Sequence, residues 1–322
     1  MHHSSQNVRL LAPAGAYITN PRPRAEGFVY DKAFAKINLI LDVVSRRPDG
    51  YHNIQSVMQT ISLYDTLTIC VAPKGEPPFR LTCSDSNLAT GDTNLVTKAA
   101  KFMVSKYGIT HPIHIHLEKH IPIAAGLAGG SSNCAATLRG INNLFDLRIP
   151  LHTLSEQHAL IKHSSLVEIG SKFGADVPFC IMGGTALAEG VGERLTQLPA
   201  HPSCWVVLAC PNIPISTKSI FEKYTPPATR QDIITPMLQA LKIGNVDKIT
   251  QCFSNDLTNI TAGIYPKINE YISEMKTQGA INAAMSGSGP SVFGYFNDKE
   301  IAIKAKERLE KIAGRAFLTE II

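Results

Sequence analysis

The sequence predicts a two-domain chain of the α+β class, and three observations carry that expectation. At 322 residues the chain exceeds the roughly 250–300 residues at which a single core stops growing. Stretches with a period of two, the mark of a strand with two unlike faces, recur in both halves. Between them lie stretches with apolar residues three and four apart, the spacing of an amphipathic helix. The composition, 44% hydrophobic and 18% charged, is that of a globular protein, and no apolar run approaches the roughly 18 residues of a membrane helix.

Residues 1 to 27 hold Arg9, Arg22 and Arg24, several prolines and no apolar period. They read as a disordered leader, a misplaced start or an appended remnant. "VRLLAPAGAYI" is broken by Pro13 and Gly15 and has no signal-peptide core, although the acid-poor character also suits an organelle transit peptide. From Phe34, the apolar Ala35, Ile37, Leu39, Leu41 and Val43 alternate with Lys36, Asn38 and Asp42. That strand puts Lys36 and Asn38 on one face and the apolar residues on the other. "SRRPDGYHN" interrupts it at Pro48 and Gly50, and "ISLYDTLTICVA" resumes a strand.

"DTNLVTKAAKFMVSKYG" is a helix with Asp92 or Thr93 as its cap and Gly108 at its end. "IHIHL" alternates again. His114 and His116 form an H-x-H pair, but no third ligand is placed by motif, and strand alternation accounts for the spacing. After "PIAAGLAGGSSNCAATL" comes a helix with Ala135, Leu138, Ile141, Leu144 and Phe145 inward. "LSEQHALIKHSSLVEIGSKFG" is a second helical region, and "ADVPFCIMGGTALAEGVGERL" is a short helix, a glycine turn and a strand. "WVVLAC" opens the second half, "INAAMSGSGPSVFGYF" is strand, glycine loop and strand, and "KEIAIKAKERLEKIAG" is a helix with Ile301, Ala305, Leu309 and Ile312 inward. The boundary falls between Gly190 and Pro202, giving domains of residues 28–195 and 196–322.

The net charge of +5 is spread among acids with no block to grip a polyanion, so a small anionic ligand fits better than nucleic acid. The seven cysteines, Cys70, Cys83, Cys134, Cys180, Cys204, Cys210 and Cys252, form no CxxC pair and are odd in number. Reduced thiols in a cytoplasmic protein are the simplest reading.

The stretch from Pro122 to Leu138 has the chemistry of an anion site. Glycines bring backbone N–H groups against a ligand without a side chain in the way. A helix starting directly behind them adds unpaired N–H groups and the positive end of its dipole. The competing reading is a flexible connection whose serines, Ser131 and Ser132, cap the helix. The stretch lacks the lysine of G-x-x-x-x-G-K-[ST] and does not fit G-x-G-x-x-G. Neither Ser131, Ser132 nor Ser288 stands in G-x-S-x-G, which argues against a hydrolase nucleophile.

Four stretches together resemble one family. "PIAAGLAGGSSNCAATL" and "AINAAMSGSGPSVFGYF" are similar to the phosphate-binding and C-terminal glycine motifs of the GHMP kinase superfamily. "AKINLILDVVSRRPDGYHNIQSVMQTISLYDTLTI" and "GADVPFCIMGGTALAEGVGERL" resemble the branch acting on 4-diphosphocytidyl-2-C-methyl-D-erythritol, in non-mevalonate isoprenoid biosynthesis. The resemblance runs from about Tyr30 to the C-terminus. It implies an N-terminal domain like ribosomal protein S5 domain 2, with a left-handed βαβ crossover, and a ferredoxin-like C-terminal domain. It also implies ATP as donor, Mg²⁺ as counter-ion and the acceptor's 2-hydroxyl as nucleophile, in a monomer or weak homodimer binding neither nucleic acid nor membrane.

Carried over by motif, Lys36 and Asp176 match the catalytic pair. Asp176 would accept the hydroxyl proton, and Lys36 would pair with it and offset charge on the transferring group. Each has a plainer reading: Asp176, two residues before Pro178, as a helix cap, and Lys36 as an exposed strand lysine. Asn38, Tyr51, His52, Thr217 and Phe221 match the acceptor's binding residues. Asn94, Lys119 and the run Pro122, Ile123, Ala124, Ala125, Gly126, Leu127, Ala128, Gly129, Gly130, Ser131 and Ser132 match the nucleotide's, with Ser131 or Ser132 near the metal. Ala124, Ala125 and Ala128 stand where the motif often has glycine, and Cys134, beside a helix start, is either a buried filler or an acidified thiol. Another GHMP alcohol kinase, or a non-catalytic binding protein of the same fold, is the alternative.

Overall fold

The computed structural model describes residues 22–152, 164–227 and 229–322. The expected leader up to residue 21, and the helical region from Leu154 as far as residue 163, lie outside the described residues. Arg22 to Gly27, assigned to the leader from the sequence, instead belong to the domain. Arg24 N donates to Leu144 O at 2.8 Å, and Val71 N donates to Gly27 O at 2.9 Å.

The N-terminal part runs β1 (Phe28–Arg46), β2 (His52–Val71), β3 (Phe79–Cys83), α1 (Leu95–Tyr107), β4 (Ile113–Glu118), α2 (Gly129–Leu144), α3 (Leu166–Gly170), α4 (Val177–Met182), β5 (Thr185–Gly190) and β6 (Arg194–Gln197). The C-terminal part continues as β7 (Trp205–Ala209), α5 (Thr217–Lys223), α6 (Ile234–Ile243), α7 (Val246–Gln251), β8 (Ser254–Asn255), α8 (Thr258–Ile264), α9 (Lys267–Thr277), β9 (Asn282–Met285), β10 (Val292–Phe296), α10 (Lys299–Ala313) and β11 (Ala316–Glu320). The first sheet has the order β3-β4-β2-β1-β8, with β5 pairing β2 and β6. Parallel pairing of β3 with β4 around α1 makes a crossover unit. The second sheet, β11-β7-β10-β9, is antiparallel throughout, the strand order of the expected ferredoxin-like domain.

The two halves are not separable at residue 195. Strand β6 pairs with β5 in the first sheet, so a cut there divides a strand. Strand β8, from the second half, pairs in parallel with β1 through Ile40–Ser254 and Leu41–Asn255. Hydrophobic contacts interlock the halves further. Val29 and Ala33 of β1 join the core beneath α1 and α2, whereas Ala35, Ile37 and Leu39 pack with Val206, Leu208, Phe293 and Tyr295 of the second sheet. Breaks in register between Phe34 and Lys36, and between Asn38 and Ile40, lie where β1 passes from one core to the other. Such irregularities re-aim side chains, and they bracket Lys36 and Asn38.

Two local expectations are corrected. Asn94, and neither Asp92 nor Thr93, caps α1: it is extended (φ −72°, ψ 133°), and its side chain accepts from Val96 N at 2.8 Å. Asp92 instead pairs with Lys101. On α10 the buried stripe is Ala302, Ala305, Leu309 and Ala313, while Ile301 is 44% exposed. The alanines allow close approach to the sheet and displace the larger Ile301 to the flank. Among the described residues, no helix is long and apolar enough to cross a membrane.

Candidate active site

A cleft of about 590 Å³ lies where the two sheets meet, lined by the glycine stretch, Lys36, Asn38, Asp176 and the Gly287–Ser288 turn. Helix α2 begins at Gly129, and its first closed bond runs from Ser132 N to Ala128 O at 2.8 Å. The N–H groups of Gly129, Gly130 and Ser131 are therefore the open end of a helix facing the cleft. Neither serine caps it. Ser132 is buried and donates its hydroxyl to Phe34 O at 2.7 Å, tying the helix start to β1. Ser131 lines the cleft, its hydroxyl 3.8 Å from where a Cβ on Gly174 would stand. Of the two candidate serines, only Ser131 is open to a ligand, and Leu127 likewise faces the core.

The stretch is held by backbone contact with both halves of the molecule. Lys36 N donates to Leu127 O at 3.2 Å, and Ser286 Oγ donates to Gly126 O at 3.0 Å. At Gly126 (φ +73°) a Cβ would lie 2.4 Å from Ser286 O, so only glycine permits this approach. The alanines are not neutral replacements. Ala124 (φ 54°) and Ala128 (φ 56°) sit in the left-handed region, which costs an L-residue roughly 1–2 kcal/mol. Glycine at 128 would remove that cost while adding unfolded-state entropy worth roughly 0.4–1 kcal/mol. Ala128→Gly is thus expected to stabilise the protein by about 0.5–1 kcal/mol. A denaturant midpoint no higher than that of the parent would contradict this.

Lys36 and Asp176 meet in the middle of the cleft, Nζ to Oδ2 at 3.7 Å. Lys36 is buried, which overturns its reading as an exposed strand lysine. Asp176 precedes α4 but makes no capping bond with its side chain, so the cap reading fails as well. Arg139 of α2 holds the two carriers together. It makes a two-point contact with Asp31 of β1 (3.1 and 3.2 Å) and donates to Cys180 O of α4 at 2.8 Å. Such planar forks fix geometry as well as charge.

A continuation of the same cleft, about 600 Å³, is lined by Tyr51, His52, Thr217 and Phe221, the residues expected to hold the acceptor. Thr217 and Phe221 border both parts. Tyr51 projects from the β1–β2 hairpin, 65% exposed. The His52 and Phe221 rings stand 5.5 Å apart, and His52 Nε2 is buried with no hydrogen-bond partner among the described residues. Burial first, and the charge of Arg46 second, hold the His52 pKa below its ordinary value. A neutral imidazole with an unspent nitrogen suits a polar heterocycle. Thr217 shares a 2.9 Å hydrogen bond with Ser288, which reduces its freedom to bind a ligand.

Asn94 and Lys119 line the cleft's other end, yet their polar atoms are largely committed. Asn94 caps α1 and donates to Ala89 O at 2.7 Å. Lys119 Nζ donates to Asp65 at 2.8 Å and also to Ile121 O. Its pKa is lowered by burial, with Asp65 acting in the opposite direction. Asp65, fully buried, went unread in the sequence. It accepts from Lys119, from His120 N (2.6 Å), from Ile121 N (2.8 Å) and from Asn133 of α2 (2.7 Å). Its one sequence signal is a carboxylate inside the apolar run "ISLYDTLTI". Cys134 is fully buried and its thiol is pushed up to about 12 by burial, so it is a filler and not a reactive thiol. His116 shares a hydrogen bond with Thr82 at 2.9 Å. Among the described residues, no three His, Cys, Asp or Glu side chains gather as a metal site.

The chain is similar to known proteins over most of its length. Residues 94–184 match the GHMP kinases N terminal domain, and residues 237–315 match the GHMP kinases C terminal domain. A 4-diphosphocytidyl-2-C-methyl-D-erythritol kinase of Caldicellulosiruptor bescii is 41% identical over 292 residues, covering 90% of this chain and 96% of that one. Another, from Lachnospira eligens, is 42% identical over 282 residues, covering 87% and 93%. The crystal structure of a 4-(cytidine 5'-diphospho)-2C-methyl-D-erythritol kinase superposes with a TM-score of 0.75 at 30% identity, over 91% of this chain and 99% of that one. A homoserine kinase from Cytophaga hutchinsonii, 16% identical, shares the fold with a TM-score of 0.69 over 92% and 95%. On the extent and level of these matches, the chain belongs to the 4-diphosphocytidyl-2-C-methyl-D-erythritol kinase family within the GHMP kinases.

Proposed function

We propose that the protein transfers the γ-phosphoryl group of ATP to the 2-hydroxyl of 4-diphosphocytidyl-2-C-methyl-D-erythritol, in the non-mevalonate route to isoprenoid precursors. The observation that carries this reading is the placement of Lys36 and Asp176, 3.7 Å apart, between an anion-binding helix start and a pocket of aromatic rings. The triphosphate lies against the N–H groups of Gly129, Gly130 and Ser131, with the adenosine toward Asn94 and Lys119. The cytosine lies between Tyr51 and Phe221, where His52 offers its unspent nitrogen.

Asp176 accepts the proton of the 2-hydroxyl as its oxygen forms the new bond to the γ-phosphorus. The bond from that phosphorus to the bridging oxygen breaks, and ADP leaves with the electron pair. Lys36 lies within reach of both the nucleophile's base and the transferred group, where its charge offsets the negative charge that develops. Among the described residues that line the cleft, Asp176 is the one carboxylate, and Ser131 offers a hydroxyl beside the helix start. That fits a Mg²⁺ ion carried in by the nucleotide and not one resident in the chain. When bound, the ion neutralises phosphate charge. Cytoplasmic location is part of the same reading, since the soluble nucleotide substrates are found there.

The test is ATP turnover with the cytidylylated acceptor and with methylerythritol lacking the cytidylyl group. Turnover is expected only with the first, and equal rates would overturn the assignment of the aromatic pocket. His52→Ala is expected to raise KM for the cytidylylated acceptor by about 10-fold or more, the value of a lost polar contact in a buried site, while KM for ATP is unchanged. A rise in KM for ATP instead would place His52 at the wrong end of the cleft.

A further inference from the structure

We propose that Ser56, a fully buried residue of β2 that touches neither cleft, is a positioning residue that sets the direction in which Lys36 presents its ammonium group. The inference rests on the catalytic reading of Lys36. Its basis is a chain of three hydrogen bonds with only one possible polarity. Lys36 Nζ lies 2.6 Å from the side chain of Asn38. An ammonium can only donate, so the amide must turn its oxygen, Oδ1, toward Lys36. Its nitrogen then faces Ser56 Oγ at 2.8 Å. That nitrogen can only donate, so Ser56 must accept and direct its own proton elsewhere. Ser56 Oγ does so, to Ile40 O at 2.6 Å.

All three side chains are buried: Lys36 4% exposed, Asn38 2% and Ser56 0%. Lys36 and Asn38 border the cleft, and Ser56 lies behind them, out of contact with it. The chain also crosses the register break between Asn38 and Ile40. The carbonyl of Ile40 anchors one end, and the catalytic ammonium is the other. Asn38 thereby takes a second role. Its amide holds Lys36 on one side and Ser56 on the other, and its backbone N donates to Ser286 Oγ at 3.3 Å, so it supports Lys36 as well as bordering the cleft.

Ser56→Ala removes the acceptor that holds the Asn38 amide. With no partner for its NH₂ group, the amide is held at one end only and is free to swing, carrying the ammonium on its Oδ1 out of place. The expected result is a fall in kcat of roughly 10- to 100-fold, the scale of a misplaced catalytic group, with KM for ATP and for the acceptor unchanged within about 2-fold. Ser56→Thr, which keeps the hydroxyl, is expected to recover most of the rate. In a Lys36→Met background, Ser56→Ala should cost nothing further, because the group through which it acts is gone.

A parent-like kcat in Ser56→Ala would overturn the inference, as would a full additional loss in the Lys36→Met background. A rise in both KM values at constant kcat would overturn it too, since that is the mark of a packing defect at the binding site. Should Ser56→Ala fail to fold, Ser56→Cys retains the volume with a weaker acceptor, and the same split in kcat and KM decides. If Lys36→Met itself keeps its rate, the catalytic reading of Lys36 has failed. If Lys36→Met is slow while Ser56→Ala is not, only the present inference has failed.

Discussion

Asp176→Asn is expected to lower kcat by about 10²–10⁴-fold, the range associated with loss of a general base, while leaving nucleotide affinity close to that of the parent. The amide has the size of the carboxylate but no basic oxygen for the hydroxyl proton. On the proposed reading the triphosphate rests on backbone N–H groups of α2, which the substitution leaves in place. The fold is expected to tolerate the change, because the Asp176 side chain makes no capping bond to α4 and is about one-third exposed. A shift in stability of no more than about 0.5 kcal/mol is the scale for such a site. Steady-state kinetics beside a nucleotide-binding titration separates the outcomes. A variant with most of the parental kcat would remove Asp176 from the chemistry. One with normal kcat and weakened nucleotide binding would make it a ligand of the donor instead.

Lys36 and Asp176 stand out in the sequence by their match to the family's motifs, since an alternating strand and a turn before a proline read by themselves as a strand lysine and a helix cap. What joins them is not local. Arg139 pins β1 to α4 from a third element, and nothing in the residues flanking it announces that role. The same holds for Asp65 and Ser56. A polar residue in a strand reads as a solvent-facing position until the partners that surround it are known. Those of Asp65 come from the approach to the glycine stretch and from α2. The choice between Ser131 and Ser132 was out of reach for another reason. Adjacent hydroxyls are equivalent in a sequence, and the phase of α2 alone sends one to the cleft and the other to Phe34 O.

The cost carried by Ala124 and Ala128 fits the same view of the site. Left-handed alanines persist where the surroundings fix the backbone. Here the fixing contacts come from both halves, Lys36 N on Leu127 O and Ser286 on Gly126 O. Ser286 also accepts from Asn38 N. A single hydroxyl of the C-terminal half therefore touches both the glycine stretch and the strand that bears Lys36. The relative position of the glycine stretch and β1 is thus set from the C-terminal half, consistent with cores that draw residues from both halves.

Lys36→Met is expected to reduce kcat by about 10²–10³-fold, the scale of removing one preorganised stabiliser of developing charge. Methionine replaces the aliphatic stem in nearly the same volume, so the loss reads as charge and not as packing. Two opposing terms act on stability. The Asn38 carbonyl loses its donor in a buried place, a cost of about 1–3 kcal/mol. Against that, a buried ammonium no longer has to be desolvated, and Asp176, being partly exposed, can rehydrate when its partner is gone. The two come close to cancelling, so folded protein suitable for kinetics is expected. Lys36→Arg should not rescue the rate, because the wider guanidinium fork must occupy a space in which the lysine side chain is only 5% exposed. The decisive comparison is the double variant Lys36→Met with Asp176→Asn. Residues that act as one unit are strongly non-additive, so the double should be no more than about 10-fold slower than the slower single. Full multiplication of the two losses would mean that the lysine and the aspartate act on different steps, and the 3.7 Å contact between them would then have no part in the transfer.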